Sequence, residues 1–209
     1  MEAFVQKLKD RIKQPLPGQE AQYLMAPLHR SRVEIETLKV NDYRPSAVMI
    51  LFCEDEDGSI YIPLTERMSY NGAHSGQISL PGGKFDQSDK DLQETAIREC
   101  FEEIGISALD IIGKLTEMYI PVSRFLVHPY LAVCRERNPV MTIQEREVKS
   151  IVKLSIDTLL KTETIEKGRI EATHNMVVSA PWFNINGHKV WGATAMILSE
   201  LKELIRTTS

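Results

Sequence analysis

Pro81-Gly82-Gly83-Lys84, followed by Thr95-Ala96-Ile97-Arg98-Glu99-Cys100-Phe101-Glu102-Glu103-Ile104-Gly105-Ile106, is the richest stretch of this 209-residue chain. On a helical wheel of about 100° per residue, Ala96, Ile97, Cys100, Phe101 and Ile104 gather on one side. Glu99, Glu102 and Glu103 gather on the other, at spacings i, i+3 and i+4. The apolar side predicts core. Like charges at these spacings each cost roughly 0.2–0.5 kcal/mol on an exposed helix, and Arg98, four residues before Glu102, offsets only part of that. A solvated acidic face would fit the charge spacing alone. The Gly82-Gly83 turn ahead of the helix tips the reading, because glycines let backbone approach a metal or phosphate with no Cβ between. Hard divalent cations prefer carboxylate oxygens and commonly bridge protein to phosphate, so the pattern predicts metal-assisted chemistry on a phosphate ester or anhydride.

Outward from this stretch, Asp89–Ile104 reads as a helix that Gly105 stops. Upstream, the apolar run Ala47–Phe52 and the segment Ser59–Leu64 flank the acidic turn Glu54–Gly58 and read as a buried β-hairpin. That turn lacks calcium-loop spacing: with Gly58 sixth, the first position is Cys53 and the twelfth Leu64. Downstream, apolar stretches at Ile111–Leu115, Val127–Cys134, Val148–Leu154 and Met176–Val178 predict strands, and Ala193–Ile205 a final helix. At the other end, Phe4, Leu8 and Ile12 predict an N-terminal helix that Pro15 and Pro17 break. It either caps the domain or forms part of a homodimer contact. Strands mixed with a central and a terminal helix indicate one α/β domain.

The composition excludes several classes. With 43% hydrophobic and 26% charged residues the chain is an ordinary globular sequence. Twenty-five Lys and Arg against 29 Asp and Glu leave −4, so no positive field draws it to nucleic acid or an anionic membrane. The sequence holds no apolar run of membrane-spanning length, and its first ten residues alternate charged with apolar. A cytoplasmic location is expected. Cys53, Cys100 and Cys134 are odd in number and lie in or beside apolar stretches, as reduced core thiols do. Trp182 and Trp191 are read as core in preference to a stacking platform for a base.

The helix and its preceding glycines resemble the Nudix hydrolase signature, in which Gly, five residues, Glu and seven residues precede Arg-Glu-aliphatic-any-Glu-Glu-any-Gly-aliphatic. Arg98, Glu99, Glu102, Glu103, Gly105 and Ile106 match, with Cys100 at the first aliphatic place. Counting from Gly83, the first half departs, with Asp89 in place of Glu and eight residues instead of seven before Arg98. This expansion, the upstream Leu64-Thr65-Glu66-Arg67 and His74-Ser75-Gly76-Gln77-Ile78-Ser79-Leu80-Pro81-Gly82-Gly83 resemble the coenzyme A pyrophosphatase branch. The similarity runs from about Arg44 to Leu204.

The resemblance implies an α/β/α sandwich with a mixed β-sheet and a loop-helix-loop box over residues 44–209, preceded by a helical extension and linker over 1–43. It implies an Mg²⁺- or Mn²⁺-dependent hydrolase that splits coenzyme A or its thioesters into 3′,5′-ADP and 4′-phosphopantetheine or its acyl form. Alternatives are another nucleoside diphosphate derivative as substrate, or a non-catalytic module that binds a nucleotide or acyl-coenzyme A. By the same resemblance Gly83, Glu99, Glu102 and Glu103 hold the metal, and Arg98 steadies a glutamate. Glu147 completes the cluster, orients water or is a surface charge. Arg67, His74, Gly82 and Gly83 bind substrate, Lys84 either contacts phosphate or sits in solvent, and Asp89 is expected to cap the helix.

Overall fold

The computed structural model describes residues 1–39, 42–68, 77–171 and 177–208. Its centre is β1 (Arg44–Glu54), whose apolar run is buried on both faces, as a strand covered on two sides must be. Ala47, Met49, Leu51 and Cys53 point to one core, and Ile50 and Phe52 to the other. The first core is covered by α3 (Leu92–Ile104) through Ala96, Cys100 and Ile104. The second is covered by α5 (Gly192–Arg206), with Leu8 of α1 (Glu2–Arg11) packed into the same cluster. A helix thus lies on each face of the sheet, the α/β/α arrangement that the motif implied.

The sheet is mixed. β1 runs parallel to β7 (Phe125–Arg137) along nearly its whole length, and β5 (Leu109–Lys114) and β6 (Met118–Ile120) pair antiparallel with β7. On its other side β1 meets β2 (Ile60–Arg67) only at Cys53↔Tyr61 and Glu54↔Ile60, so the expected hairpin closes at its tip and then opens. Beyond the tip β2 pairs with β8 (Val148–Ser155) and with the short β3 (Ile78–Ser79). β4 (Gly82–Lys84) takes the vacated edge of β1 at Ser46–Val48. The sheet therefore splits, and residues 77–84 line the split. A second antiparallel sheet, β9 (Ile165–Glu171), β10 (Val177–Ile185) and β11 (His188–Trp191), packs Phe183, Ile185 and Val190 onto the α5 core.

Two readings of the central helix need correction. Asp91, not Asp89, is its N-cap, accepting from the Glu94 N–H at 2.9 Å. Phe101, expected in the core, is 55% exposed, and Glu103, expected on the outer face, is only 2% exposed. At about 100° per residue Glu103 falls within roughly 20° of Ala96 and Phe101 some 140° away. The buried stripe is thus Ala96, Cys100, Ile104 and Glu103, and Phe101 lies beyond the width that β1 and β7 cover. All three cysteines are free and buried. Trp182 is buried, its indole N–H donating to Glu166 at 3.1 Å, whereas Trp191 is only partly covered and borders the cleft described below.

The stretch after Pro17 folds as a second helix, α2 (Gly18–Tyr23), against α5. Its anchor is Glu200, fully buried on α5, which accepts from Gly18 N–H at 3.1 Å, Thr116 hydroxyl at 2.6 Å and Gln22 amide at 2.8 Å. A short helix α4 (Ile156–Leu160) links β8 to the small sheet. No helix among the described residues is long and apolar enough to cross a membrane.

Candidate active site

The split in the sheet opens a cleft of about 890 Å³. Glu99 and Glu103 on α3, Gly82, Gly83 and Lys84 on β4, Arg67 at the end of β2, and Glu147 all line it. Glu147 arrives from far along the chain because residues 138–147 fold back on the end of α3. Thr142 and Gln144 N–H donate to the Ile104 and Glu103 carbonyls, and the Glu147 carbonyl accepts from Met68 N–H at 2.9 Å. His74 lies outside the described residues.

Both glycines stand in close contacts. A Cβ on Gly82 would sit 2.4 Å from the Ala47 carbonyl oxygen and 2.6 Å from the Val48 Cα, so no side chain fits where β4 crosses β1. A Cβ on Gly83 would sit 2.4 Å from the Glu99 carboxylate carbon. Gly83 and Glu99, distant in sequence, are thereby in direct apposition, and the backbone of β4 lies against a carboxylate.

Arg98 organises the outer edge. Its Nε and Nη2 donate to the two oxygens of Asp89 at 2.8 and 3.0 Å, its Nη1 to Glu99 at 2.9 Å and Glu102 at 3.1 Å, and its Nη2 also to the Lys84 carbonyl at 3.2 Å. A planar fork reaches all these acceptors, as a lysine could not. Asp89 is buried and also accepts from Thr95 hydroxyl at 2.8 Å and Asp86 N–H at 3.1 Å. The guanidinium holds its carboxyl well below the ordinary carboxylate range. Asp89 therefore fixes Arg98, and Arg98 fixes Glu99.

Electrostatically the site is short of positive charge. Burial pushes Glu103 up to about 7, against the partial relief of the Arg67 guanidinium at 3.3 Å, and Glu99 and Glu147 raise it further. Burial also raises Glu99, which Arg98 lowers and Glu102 and Glu147 raise. Glu102 faces outward, against Arg98. Among the described residues no three His, Cys, Asp or Glu side chains converge in ligand geometry. Yet the donor chemistry fits a hard divalent cation: partly desolvated carboxylates, Glu99 and Glu103, share one wall with Gly83, and each has its proton affinity raised by burial and by neighbouring carboxylates. Such an ion, when bound, draws charge off a phosphoryl oxygen and lowers the pKa of bound water.

Residues 43–176 match the NUDIX domain profile. The chain belongs to the Nudix family. It is 32% identical over 164 residues to Nudix hydrolase 15, mitochondrial, of Arabidopsis thaliana, an alignment covering 75% of this chain and 57% of the plant protein. The Nudix chain thus spans a little over half of that relative's length. It is 28% identical over 163 residues to the mitochondrial coenzyme A diphosphatase NUDT8 of Homo sapiens, covering 77% of this chain and 69% of the human protein. A solved Nudix hydrolase from M. smegmatis, RenU, shares the fold at a TM-score of 0.55 and 14% identity, over 88% of this chain and 94% of that one.

The structure also brings in cleft residues that the motif did not indicate. The segment Pro27–Val33 and the loop Ile120–Phe125 form the wall away from α3. Their signal was weak, since neither has a hydrophobic period or a chemical motif. They reach the site through long-range pairing, including Leu28 N–H to the Ser179 carbonyl at 2.8 Å.

Proposed function

We propose that this protein is a divalent-metal-dependent pyrophosphohydrolase, with Mg²⁺ or Mn²⁺ as the ion and coenzyme A or an acyl-coenzyme A as the substrate. The observation that carries the reading is the shared wall of Glu99, Glu103 and Gly83 in a cleft whose remaining lining is mostly apolar. The carboxylates would suit a divalent ion and the diphosphate it neutralises, and the apolar remainder of the lining suits a long, largely uncharged arm. The coenzyme A assignment is supported by the upstream Leu64–Arg67 and His74–Gly83 segments and by the similarity to the human coenzyme A diphosphatase.

Glu99 and Glu103 hold the ion, with Glu102 completing the acidic edge and the Gly83 backbone beside it. Arg98 orients Glu99. Arg67, Lys84 and the backbone at Gly82 and Gly83 face the diphosphate, and His74 belongs with the substrate-binding segment. Glu147, the cleft carboxylate that is not on α3, takes the proton from the attacking water. The water oxygen bonds to one phosphorus as the bridging oxygen leaves with the other phosphate, giving 3′,5′-ADP and 4′-phosphopantetheine or its acyl form. No covalent enzyme intermediate is required.

The test incubates purified protein with coenzyme A, acetyl-coenzyme A, ADP-ribose and a dinucleoside polyphosphate, each with Mg²⁺ or Mn²⁺, and identifies products by mass. The expected result is 3′,5′-ADP and a phosphopantetheine product at the highest kcat/KM. A higher kcat/KM for ADP-ribose or the dinucleotide would refute the substrate assignment. Binding without turnover of any compound would refute the enzyme.

A further inference from the structure

The cleft wall opposite α3 carries a cation for which the diphosphate chemistry gives no role. Arg30 lines the cleft from the segment Pro27–Val33, outside the span of residues 43–176 that matches the family. Its backbone is set by a turn in which Arg30 N–H donates to the Pro27 carbonyl at 3.0 Å and His29 adopts a left-handed conformation, φ 71°. The flanking residues are tied down as well. Tyr23 hydroxyl donates to the Ser31 carbonyl at 3.0 Å, Gln19 amide to the Val33 carbonyl at 3.1 Å, and Arg32 forks onto Glu20. This places the side chain in advance of any ligand.

Arg30 is half-buried, and burial lowers its pKa from the ordinary arginine value. Its Nη2 donates to the Tyr119 carbonyl at 2.8 Å, and the Tyr23 hydroxyl lies beside it. Its buried Nε has no acceptor, and among the described residues no carboxylate lies within ion-pair distance of it. Other arginines near the cleft differ: Arg67 rests on Glu103, Arg98 on Asp89 and Glu99, and Arg32 on Glu20. A half-buried, positioned guanidinium whose Nε is buried without an acceptor and which has no counter-ion is costly unless an anion reaches it. Among the described residues the other lysine and arginine lining the cleft are Lys84, on β4, and Arg67, which pairs with Glu103 of α3.

We propose that Arg30 is a phosphate-binding residue that reads a phosphomonoester of the substrate separate from the diphosphate. A phosphomonoester dianion presents paired oxygens that a guanidinium fork matches. A substrate lacking that group would bury Arg30 further while leaving it uncompensated, so the residue acts as a specificity determinant. The inference rests on the reading of the cleft as a diphosphate hydrolase site.

The experiment compares ligands that differ by one phosphate in wild type, Arg30→Gln and Arg30→Lys. Hydrolysis of coenzyme A is set against 3′-dephospho-coenzyme A, and calorimetric binding of 3′,5′-ADP against 5′-AMP. Wild type should favour the ligand with the extra phosphate by at least tenfold in both pairs. In Arg30→Gln each preference should fall below threefold, through loss on the phosphorylated ligand, and Arg30→Lys should keep part of it. The ratio is read within each variant, so a lower folded fraction cancels. An Arg30-dependent binding preference without hydrolysis of either coenzyme would sink the enzymatic reading and leave this one standing. Absence of a wild-type binding preference, including no binding of either nucleotide, or an equal loss on both ligands in Arg30→Gln, would overturn it. If Arg30→Gln does not fold, retention of the full preference by a folded Arg30→Ala or Arg30→Met would overturn it equally.

Discussion

Gly82 and Gly83 are adjacent, yet a methyl group at each meets a different kind of neighbour. At Gly82 it meets backbone, the Ala47 carbonyl, which cannot yield without parting β4 from β1. Gly82→Ala should cost about 2–3 kcal/mol of stability by overpacking, read as a fall in Tm. At Gly83 it meets the end of a side chain, Glu99. Gly83→Ala should leave Tm within a few degrees and lower kcat at least tenfold by displacing that carboxylate. A larger loss of stability at Gly83 than at Gly82 would contradict the assignment. Glu103 gives a pH signature. Its carboxyl is pushed up to about 7 by burial, above the unfolded value of about 4.3. The folded protein therefore binds more protons between these values, and metal-free stability should fall as pH rises from about 4.5 through 7. The expected loss is of order 3 kcal/mol. Denaturant titrations in chelator should show this slope in wild type and a flatter one in Glu103→Gln. Equal slopes would refute the buried charge. The glutamate triplet was legible in the sequence, but its division was not. Glu103 joins the buried stripe and Glu102 the rim because the sheet beneath α3 covers one flank and leaves Phe101 uncovered.

α3 shows why the one-residue expansion in its motif is tolerated. The helix begins at Leu92, capped by Asp91, with the Glu94 carboxylate reaching back to Lys90 N–H at 2.6 Å, and it ends at Gly105 in the left-handed region, φ 76°. Asp89 is thereby released from capping and turned inward to Arg98. The two aspartates should separate on mutation. Asp91→Ala should cost about 1 kcal/mol in stability with kcat little changed. Asp89→Asn, which removes the most buried of the three carboxylates that hold Arg98, should cost more stability and also lower kcat by loosening Glu99. Because the Asp89 pKa is depressed, its contribution is full above its unfolded pKa of about 3.9 and is lost only as pH falls through the folded value. Comparable Tm and kcat in the two variants would contradict these roles. The sequence located the strong elements, α3, α5, β1, β7 and β8, because each carries a continuous or periodic apolar pattern. It missed β3, β4 and β6, which are two or three residues long. It also missed β9, where Gly168 interrupts the pattern and the Trp182 ring packs over it, the nearest ring carbon 3.1 Å from where a Cβ would stand.

The molecule builds its cleft from parts distant in the chain. α3 supplies carboxylates, residues 138–147 fold back to bring Glu147, and the N-terminal segment supplies the far wall. That segment reads as a linker in the sequence because its anchors lie in α5 and in the turn at Thr116, about 90–180 residues away. Glu200→Ala would strip the acceptor from Gly18, Gln22 and Thr116. It should cost about 3 kcal/mol through buried donors left unpaired and should weaken substrate binding by releasing the wall that carries Arg30. A Tm equal to wild type would show that the segment is not held by this network. The central claim is that Glu99 and Glu103 at the base of this cleft hold a divalent ion. Calorimetric titration of Mn²⁺ into chelator-treated protein, with and without a diphosphate ligand, tests it most directly. Saturable binding that is lost in Glu99→Gln and Glu103→Gln is the expected result; no uptake by wild type in either condition, or undiminished uptake by both variants, would contradict it.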